Sequence, residues 1–210
     1  MKVNLLKGLR KSNAPKQVHT IPNLLNLHNI HNKSNEFIPK HKKYIITAGR
    51  LIPEKGFDFL IKSYASKISK IKGLDLVILG EGIEKESLEN LIKKLKLKDR
   101  IHLLGFKDNP MPYFKYADLC VVSSRVEGFP NVLLQMMALN GNVVSTLCAG
   151  GIKELEGVQT CEADNLEALS DGMLNAISNK KDNSRLFKRE LEIRSVEKYW
   201  NQIETYLDET

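Results

Sequence analysis

The sequence is short of cysteine. Its three residues, Cys120, Cys148 and Cys161, lie far apart and lack the paired spacing of a metal knuckle or a disulfide framework. That sparseness suits a reducing, cytoplasmic setting, and the apolar surroundings of Cys120 and Cys148 mark them as small core residues rather than reactive thiols. Long apolar runs are missing too. No stretch approaches the roughly 18 consecutive apolar residues of a membrane span, and the opening MKVNLLKGLRKSNAPK holds no apolar segment of the length a secretory signal needs. A G-x-G-x-x-G turn is absent after the first strand, which argues against a dinucleotide-dependent oxidoreductase. Acid is nearly absent from residues 1–43, where nine Lys or Arg face Glu36 alone, so that the rest of the chain carries only −1 of the net +7. A protein that coats nucleic acid would spread positive charge over its folded body. This body is close to neutral, so no nucleic-acid partner is expected, and the basic leader is left to water, a protein partner or an acidic lipid surface.

What is present is an ordinary globular composition, 42% hydrophobic and 27% charged in 210 residues, enough for one good core. Residues 1–43 lack sustained periodicity, and IPNLLNLHNIHNKSNEFIPKHKK reads as linker, rich in Asn, His, Lys and Pro. His28 and His31 stand three apart, but with no acid or cysteine close by no metal is expected there. From Tyr44 the pattern becomes short apolar runs alternating with amphipathic helices. Strands are expected at 44–49, 74–80, 101–105, 118–124 and 142–146, with a weak sixth at 157–161. Helices are expected from Phe57, over 85–97, 109–116, 131–140 and 165–178. Phe57, Leu60, Ile61, Tyr64 and Ile68 share one face of the first of these. Fully apolar strands separated by helices imply an α/β fold, a doubly wound parallel sheet covered on both faces. Such a sheet binds ligands beyond the carboxyl ends of its strands. The tail, 184–210, carries a stripe of Trp200, Ile203 and Leu207 that requires cover, either from its own domain or from another.

The chemistry-bearing residues fall at those carboxyl ends. GRLIPEKG, Gly49 to Gly56, follows the first strand and offers Arg50, a planar fork, and Lys55, a point charge; together they suit a diphosphate, although solvated loop cations are the alternative. GEGI, Gly80 to Ile83, reads best as a simple tight turn. In SSRVEGFPNVLLQMMALNG, Glu127 precedes a glycine-aromatic-proline turn, and Asn131 is placed to cap a helix whose free N–H groups favour an anion by about 0.3–1 kcal/mol. Gln135 lies about one turn inside that helix among apolar neighbours, within reach of ribose hydroxyls. CAGGIKEL, Cys148 to Leu155, adds two further glycines and Glu154.

These blocks, in this order, resemble the carboxy-terminal, donor-binding half of the retaining glycosyltransferases of the GT-B fold, the glycosyl transferases group 1. GRLIPEKGFDFLI is similar to the family's phosphate-binding strand end. YADLCVVSSRVEGFPNVLLQMMALNGNVVST is similar to its acid–x7–acid block, GGIKEL to the glycines after it, and FKRELEIRSVEKYWNQIETYL to its terminal helices. IPNLLN resembles the segment that joins the family's two halves. The resemblance implies three parts: a basic remnant or linker at 1–43, a Rossmann-like donor domain at 44–183, and terminal helices at 184–210. It implies that Arg50 and Lys55 hold the donor diphosphate and that Glu127 lies by the donor sugar. The backbone at Gly128, Phe129, Pro130, Asn131 and Val132 would approach sugar and phosphate, the backbone near Phe106 would meet the base, and position 135 would bind the ribose. It implies no cofactor and no metal, with a UDP- or GDP-linked sugar as substrate.

The implied reaction moves a hexosyl group with retention to an envelope glycan or lipid, in the cytoplasm or at the inner membrane face. The family's acceptor-binding half has no counterpart in 1–43, so weak donor binding by this chain alone is expected, and a separate acceptor-binding subunit is one expected partner. A decayed or non-catalytic nucleotide-binding or protein-interaction module is the alternative. Two substitutions stand out. The family's second acid is Gln135, a change from a charged to a neutral hydrogen bond that costs about 1–2 kcal/mol. A usual proline is Asn142, which implies a small local loss of rigidity.

Overall fold

The computed structural model describes residues 23–208. Six strands, β1 (Tyr44–Ala48), β2 (Asp75–Leu79), β3 (Ile101–Leu103), β4 (Leu119–Val122), β5 (Val143–Thr146) and β6 (Gln159–Cys161), form one sheet in the order β3-β2-β1-β4-β5-β6. Every pairing is parallel. The order reverses direction between β1 and β4, and a crevice opens at that point beyond the strand ends. The weak sixth strand is real but short, and each of the others begins or ends slightly inside its expected range.

Alternation along the strands feeds two separate cores. Tyr44, Ile46, Val77, Leu79, Cys120 and Val122 face one layer, which contains α4 (Met111–Tyr116), α5 (Asn131–Leu139) and Phe187 and Leu191 of α7 (Ser184–Glu192). Ile45, Leu76, Ile78, Leu119, Val121 and Val144 face the other, built on α2 (Phe57–Lys67), α3 (Lys85–Lys94) and α6 (Leu166–Ser178). The α2 face forms as its spacing implies, with Phe57, Leu60, Ile61, Tyr64 and the adjoining Ile68 all buried. At about 25 cal/mol per Å², each such side chain contributes roughly 1.5–3 kcal/mol.

Three expectations need correction. The leader is not uniformly linker: α1 (Leu27–Lys33) forms there, capped by the Asn26 side chain accepting from the Asn29 N–H at 2.9 Å, and Ile30 is buried in the first core. One apolar residue and one cap suffice because α1 packs on α4 and α5, so tertiary burial supplies what periodicity lacks. Asn131 is the first residue of α5 rather than its cap. Pro130 occupies the cap position, and the Asn131 side-chain oxygen accepts instead from Asn23 Nδ2 at 2.7 Å. Asn142 does not loosen its strand. Its buried amide donates to the carbonyls of Asp118 and Ala176, both at 3.0 Å, while its own N–H donates to Asn140 Oδ1 at 2.9 Å. A proline could make none of these bonds.

The tail forms α7 and α8 (Val196–Asp208). Trp200 is 57% exposed, its ring edge-on to Tyr199 at 6.2 Å, so the described residues leave much of it uncovered. The Leu207 side chain and the basic leader through residue 22 lie outside the described residues. Among the described residues, no helix is long and apolar enough to cross a membrane.

Candidate functional site

The segment after β1 is bent upward by a single 3-10 turn, Pro53–Lys55, that ends on Gly56 at φ +63°. A side chain at 56 would be both strained and blocked, since its Cβ would stand 2.4 Å from the Ser123 carbonyl oxygen. That close approach lets the turn be stitched to the end of β4. Ser123 Oγ donates to the Lys55 carbonyl at 3.0 Å, the Arg125 N–H to the Glu54 carbonyl at 2.8 Å, and the Arg125 guanidinium to the Pro53 carbonyl at 2.7 Å. Arg125 also pairs with Asp58 at 2.9 Å and Asp164 at 2.7 Å. Two loops 68 residues apart in sequence are thereby held as one surface.

On that surface Lys55 Nζ meets Glu127 Oε1 at 2.8 Å, with side-chain exposures of 19% and 13%. Ser124 Oγ donates to the same carboxylate oxygen, and the Glu127 N–H donates to the Cys148 carbonyl at 2.8 Å. Thr146 Oγ1 in turn donates to the Ser124 carbonyl at 2.6 Å, so Glu127 is fixed from both β4 and β5. A half-buried pair with an extra hydroxyl donor is better defined than a surface pair, which typically contributes under about 1 kcal/mol. The Lys55 stem lies against Gly49, where an added Cβ would sit 3.4 Å from Lys55 Cδ; this brings the ammonium to the strand end that also carries Arg50.

A cavity of about 340 Å³ opens at the strand ends that carry Gly49 and Arg50. Arg50, Glu81, Phe106, Phe114, Val132 and Gln135 are among its walls. Phe106 is 67% exposed, an aromatic face at the mouth, and Gln135 also lines a second depression shared with α1. The cavity floor is shaped by glycine. Gly80, at φ +145°, passes so close to Gly49 that a Cβ there would stand 1.8 Å from the Gly49 carbonyl oxygen. The GEGI turn is therefore required for packing one strand end on its neighbour.

Of the residues singled out from sequence, the structure groups Lys55 with Glu127, and Arg50 with Phe106, Val132 and Gln135. Gly128 is exposed and Phe129 half-buried in the turn between these groups, with Pro130 and Asn131 leading into α5. Glu154 is exposed. His28 instead engages Asn32 at 2.9 Å on its own helix. All three cysteines are buried, and burial pushes each thiol up, Cys161 to about 11. One participant had no sequence signal. Arg194, at the junction of α7 and α8, sits over the Phe129 ring at 5.4 Å, and its carbonyl accepts from the Leu25 N–H at 2.9 Å. Burial lowers the Arg194 guanidinium below its ordinary range and encloses its Nε.

This geometry meets a direct comparison. Residues 29–191 match the profile described as "Glycosyl transferases group 1". The chain belongs to that family. A Campylobacter jejuni relative named N-acetylgalactosamine-N,N'-diacetylbacillosaminyl-diphospho-undecaprenol 4-alpha-N-acetylgalactosaminyltransferase is 36% identical over 172 residues, covering 80% of this chain and 46% of its own. A Rhizobium meliloti lipopolysaccharide core biosynthesis glycosyltransferase, LpsE, is 31% identical over 112 residues, covering 53% of this chain and 32% of its own. Among solved structures, Anabaena HepE in complex with UDP aligns with a TM-score of 0.72 at 19% identity, over 88% of this chain and 52% of that one. Staphylococcus aureus TarM, in a complex that includes UDP, aligns at 0.75 and 22% identity, over 90% and 38%. These likenesses place the fold among the GT-B glycosyltransferases. The chain spans about half the length or less of these group 1 relatives.

Proposed function

We propose that this chain is the donor-binding half of a glycosyltransferase that takes a hexosyl group from a UDP- or GDP-linked sugar. The observation that carries the reading is the half-buried Lys55–Glu127 pair, whose lysine stem lies against Gly49, a wall of the cavity that Arg50 and Val132 of α5 also line. A pyrophosphate needs positive groups from more than one direction. Here Arg50 and Val132 in the first turn of α5 line one cavity, and the Lys55 stem packs on Gly49 in its wall. The base stacks at Phe106, the ribose reaches Gln135, and the diphosphate lies between Arg50 and Lys55. Glu127 accepts from a hydroxyl of the donor sugar, while the backbone from Gly128 to Val132 approaches sugar and phosphate. No metal is required, because Arg50, Lys55 and the α5 N-terminus offset the charge that develops on the leaving diphosphate.

Transfer proceeds with retention to an envelope glycan or lipid acceptor, at the inner face of a membrane. The acceptor is held by a second domain or subunit that closes the cleft and keeps water from the donor. In isolation this chain binds donor weakly. Calorimetry with UDP and GDP tests the reading: one of the two binds, and Arg50→Ala or Lys55→Ala weakens it roughly tenfold to a hundredfold, the loss of a charged hydrogen bond. Absence of any response to either nucleotide at millimolar concentration overturns it. Gln135, standing where the family carries an acid, favours a second reading, a non-catalytic nucleotide-binding module. That reading predicts binding without transfer even when an acceptor half is supplied.

A further inference from the structure

The opposite edge of the sheet holds a cluster that donor binding does not use. His41 lies just before β1, Asp75 opens β2, and His102 stands in the middle of β3. Register brings them together. Tyr44 pairs with Asp75 and Val77 with His102, and His102, Asp75 and Val77 alternate away from the second core toward the same face. One ligand atom from each of the three lies within 4.8 Å of the others.

We infer that His41, Asp75 and His102 form a binding site for one divalent cation of the zinc, cobalt or nickel class, at the end of the sheet away from the donor cleft. Two imidazoles and a carboxylate are the donor set such ions prefer, and three protein ligands leave a position for water. His102 Nε2 and Asp75 Oδ2 are 3.2 Å apart, close to the roughly 3.3 Å between neighbouring ligands of a tetrahedral ion with bonds of about 2.0 Å. The His41 and His102 rings lie 4.8 Å apart and tilted by 41°, so a small turn of the His41 ring completes the set.

The supporting shell is already built. Arg100 Nε holds the other oxygen, Asp75 Oδ1, at 2.9 Å, while its terminal nitrogens donate to the carbonyls of Ser69, Ile71 and Leu74 at 2.7–2.9 Å. That arrangement fixes the carboxylate's direction, as outer-shell partners of metal ligands do. His41 is further held edge-on to Tyr44 at 6.0 Å. A cavity of about 310 Å³ with Phe37, Lys40, Lys107 and Tyr113 in its walls opens beside His41. Arg100 offsets part of the Asp75 charge, so micromolar affinity is expected rather than the tighter binding of thiolate sites.

The test is titration of the full chain with Zn²⁺ by calorimetry, with Co²⁺ absorption as the geometric readout. One Zn²⁺ per chain is expected, together with the visible bands of four- or five-coordinate Co²⁺. His102→Ala and His41→Gln each lower affinity about tenfold or more. If His102→Ala melts early without metal, His41→Gln alone decides, since His41 lies outside the strands. Lack of saturable uptake overturns the site. Uptake unchanged by both variants but lost in His28→Ala/His31→Ala also overturns it, by moving the ion to α1. UDP binding, measured separately, neither supports nor weakens this inference.

Discussion

The two edges of one sheet handle polar groups in opposite ways. At the amino-terminal edge Arg100 spans three carbonyls and a carboxylate, and Asn142 and Asn140 tie strand starts to the helices above them. Donors there are spent on the protein's own backbone. At the carboxyl-terminal edge, Arg50 is exposed, the Lys55 ammonium is shared with one carboxylate, and glycines replace side chains that would fill the cleft. The first edge spends its guanidinium and amide donors on the fold, and the second keeps more of its donors free for something else. Parallel sheets reach this division because all strand carboxyl ends, and the loops leaving them, collect on one side.

That contrast can be broken most severely at Arg100. Arg100→Ala removes four hydrogen bonds and takes the side-chain donor from the Ser69 carbonyl and Asp75 Oδ1, while the Leu74 carbonyl keeps the Tyr64 hydroxyl at 2.7 Å, so a loss of about 3 kcal/mol is expected. A chain of this size loses roughly 6–12 °C in Tm from such a change, read by thermal melting. Nucleotide affinity below the transition stays unchanged, and a matching loss there would mean the edges are not independent. The next change sharpens the other side. Gln135→Glu restores a charged acceptor and is expected to tighten nucleotide binding about five- to thirtyfold without shifting Tm by more than a degree or two. Equal affinity in calorimetry would remove the ribose role from position 135. The smallest effect falls on Arg194. Losing its stack on Phe129 costs about 0.5–1 kcal/mol, so Arg194→Ala weakens nucleotide binding roughly two- to fivefold. A phenylalanine-specific readout, the ring shifts of Phe129 by NMR, separates this from a general loosening.

Much of the sheet was legible because its strands are apolar on both faces, which only burial between two helical layers explains. The α2 stripe was legible for the same reason. Helix α1 was not, since NLHNIHNK presents a single buried side chain and depends on α4 and α5 for its cover. Arg50, Lys55, Phe106, Glu127 and Gln135 were legible as loop residues at strand ends. Their grouping was legible only through the resemblance, as nothing local to Lys55 points to a partner 72 residues away. Asn131 was misread because an asparagine's local capping habit competes with a distant donor, the Asn23 amide, and Asn142 because the carbonyls it reaches lie 24 and 34 residues away. Arg194 carried no signal at all, being one cation in a charged helical tail whose contact is with an aromatic in a distant turn.

The contact between Gly80 and Gly49 has a mechanical consequence. Two strand ends pressed together with no room for a methyl group form a fixed jaw, so the loops leaving β1 and β2 travel together. Across the cleft, Glu127 is tied to Lys55, Ser124 and Cys148 and Phe129 lies under Arg194, but Gly128 between them has open space around it. On the donor-binding reading, a ligand in this cleft meets a rigid wall on one side and, on the other, a turn with room for change at the single position of Gly128.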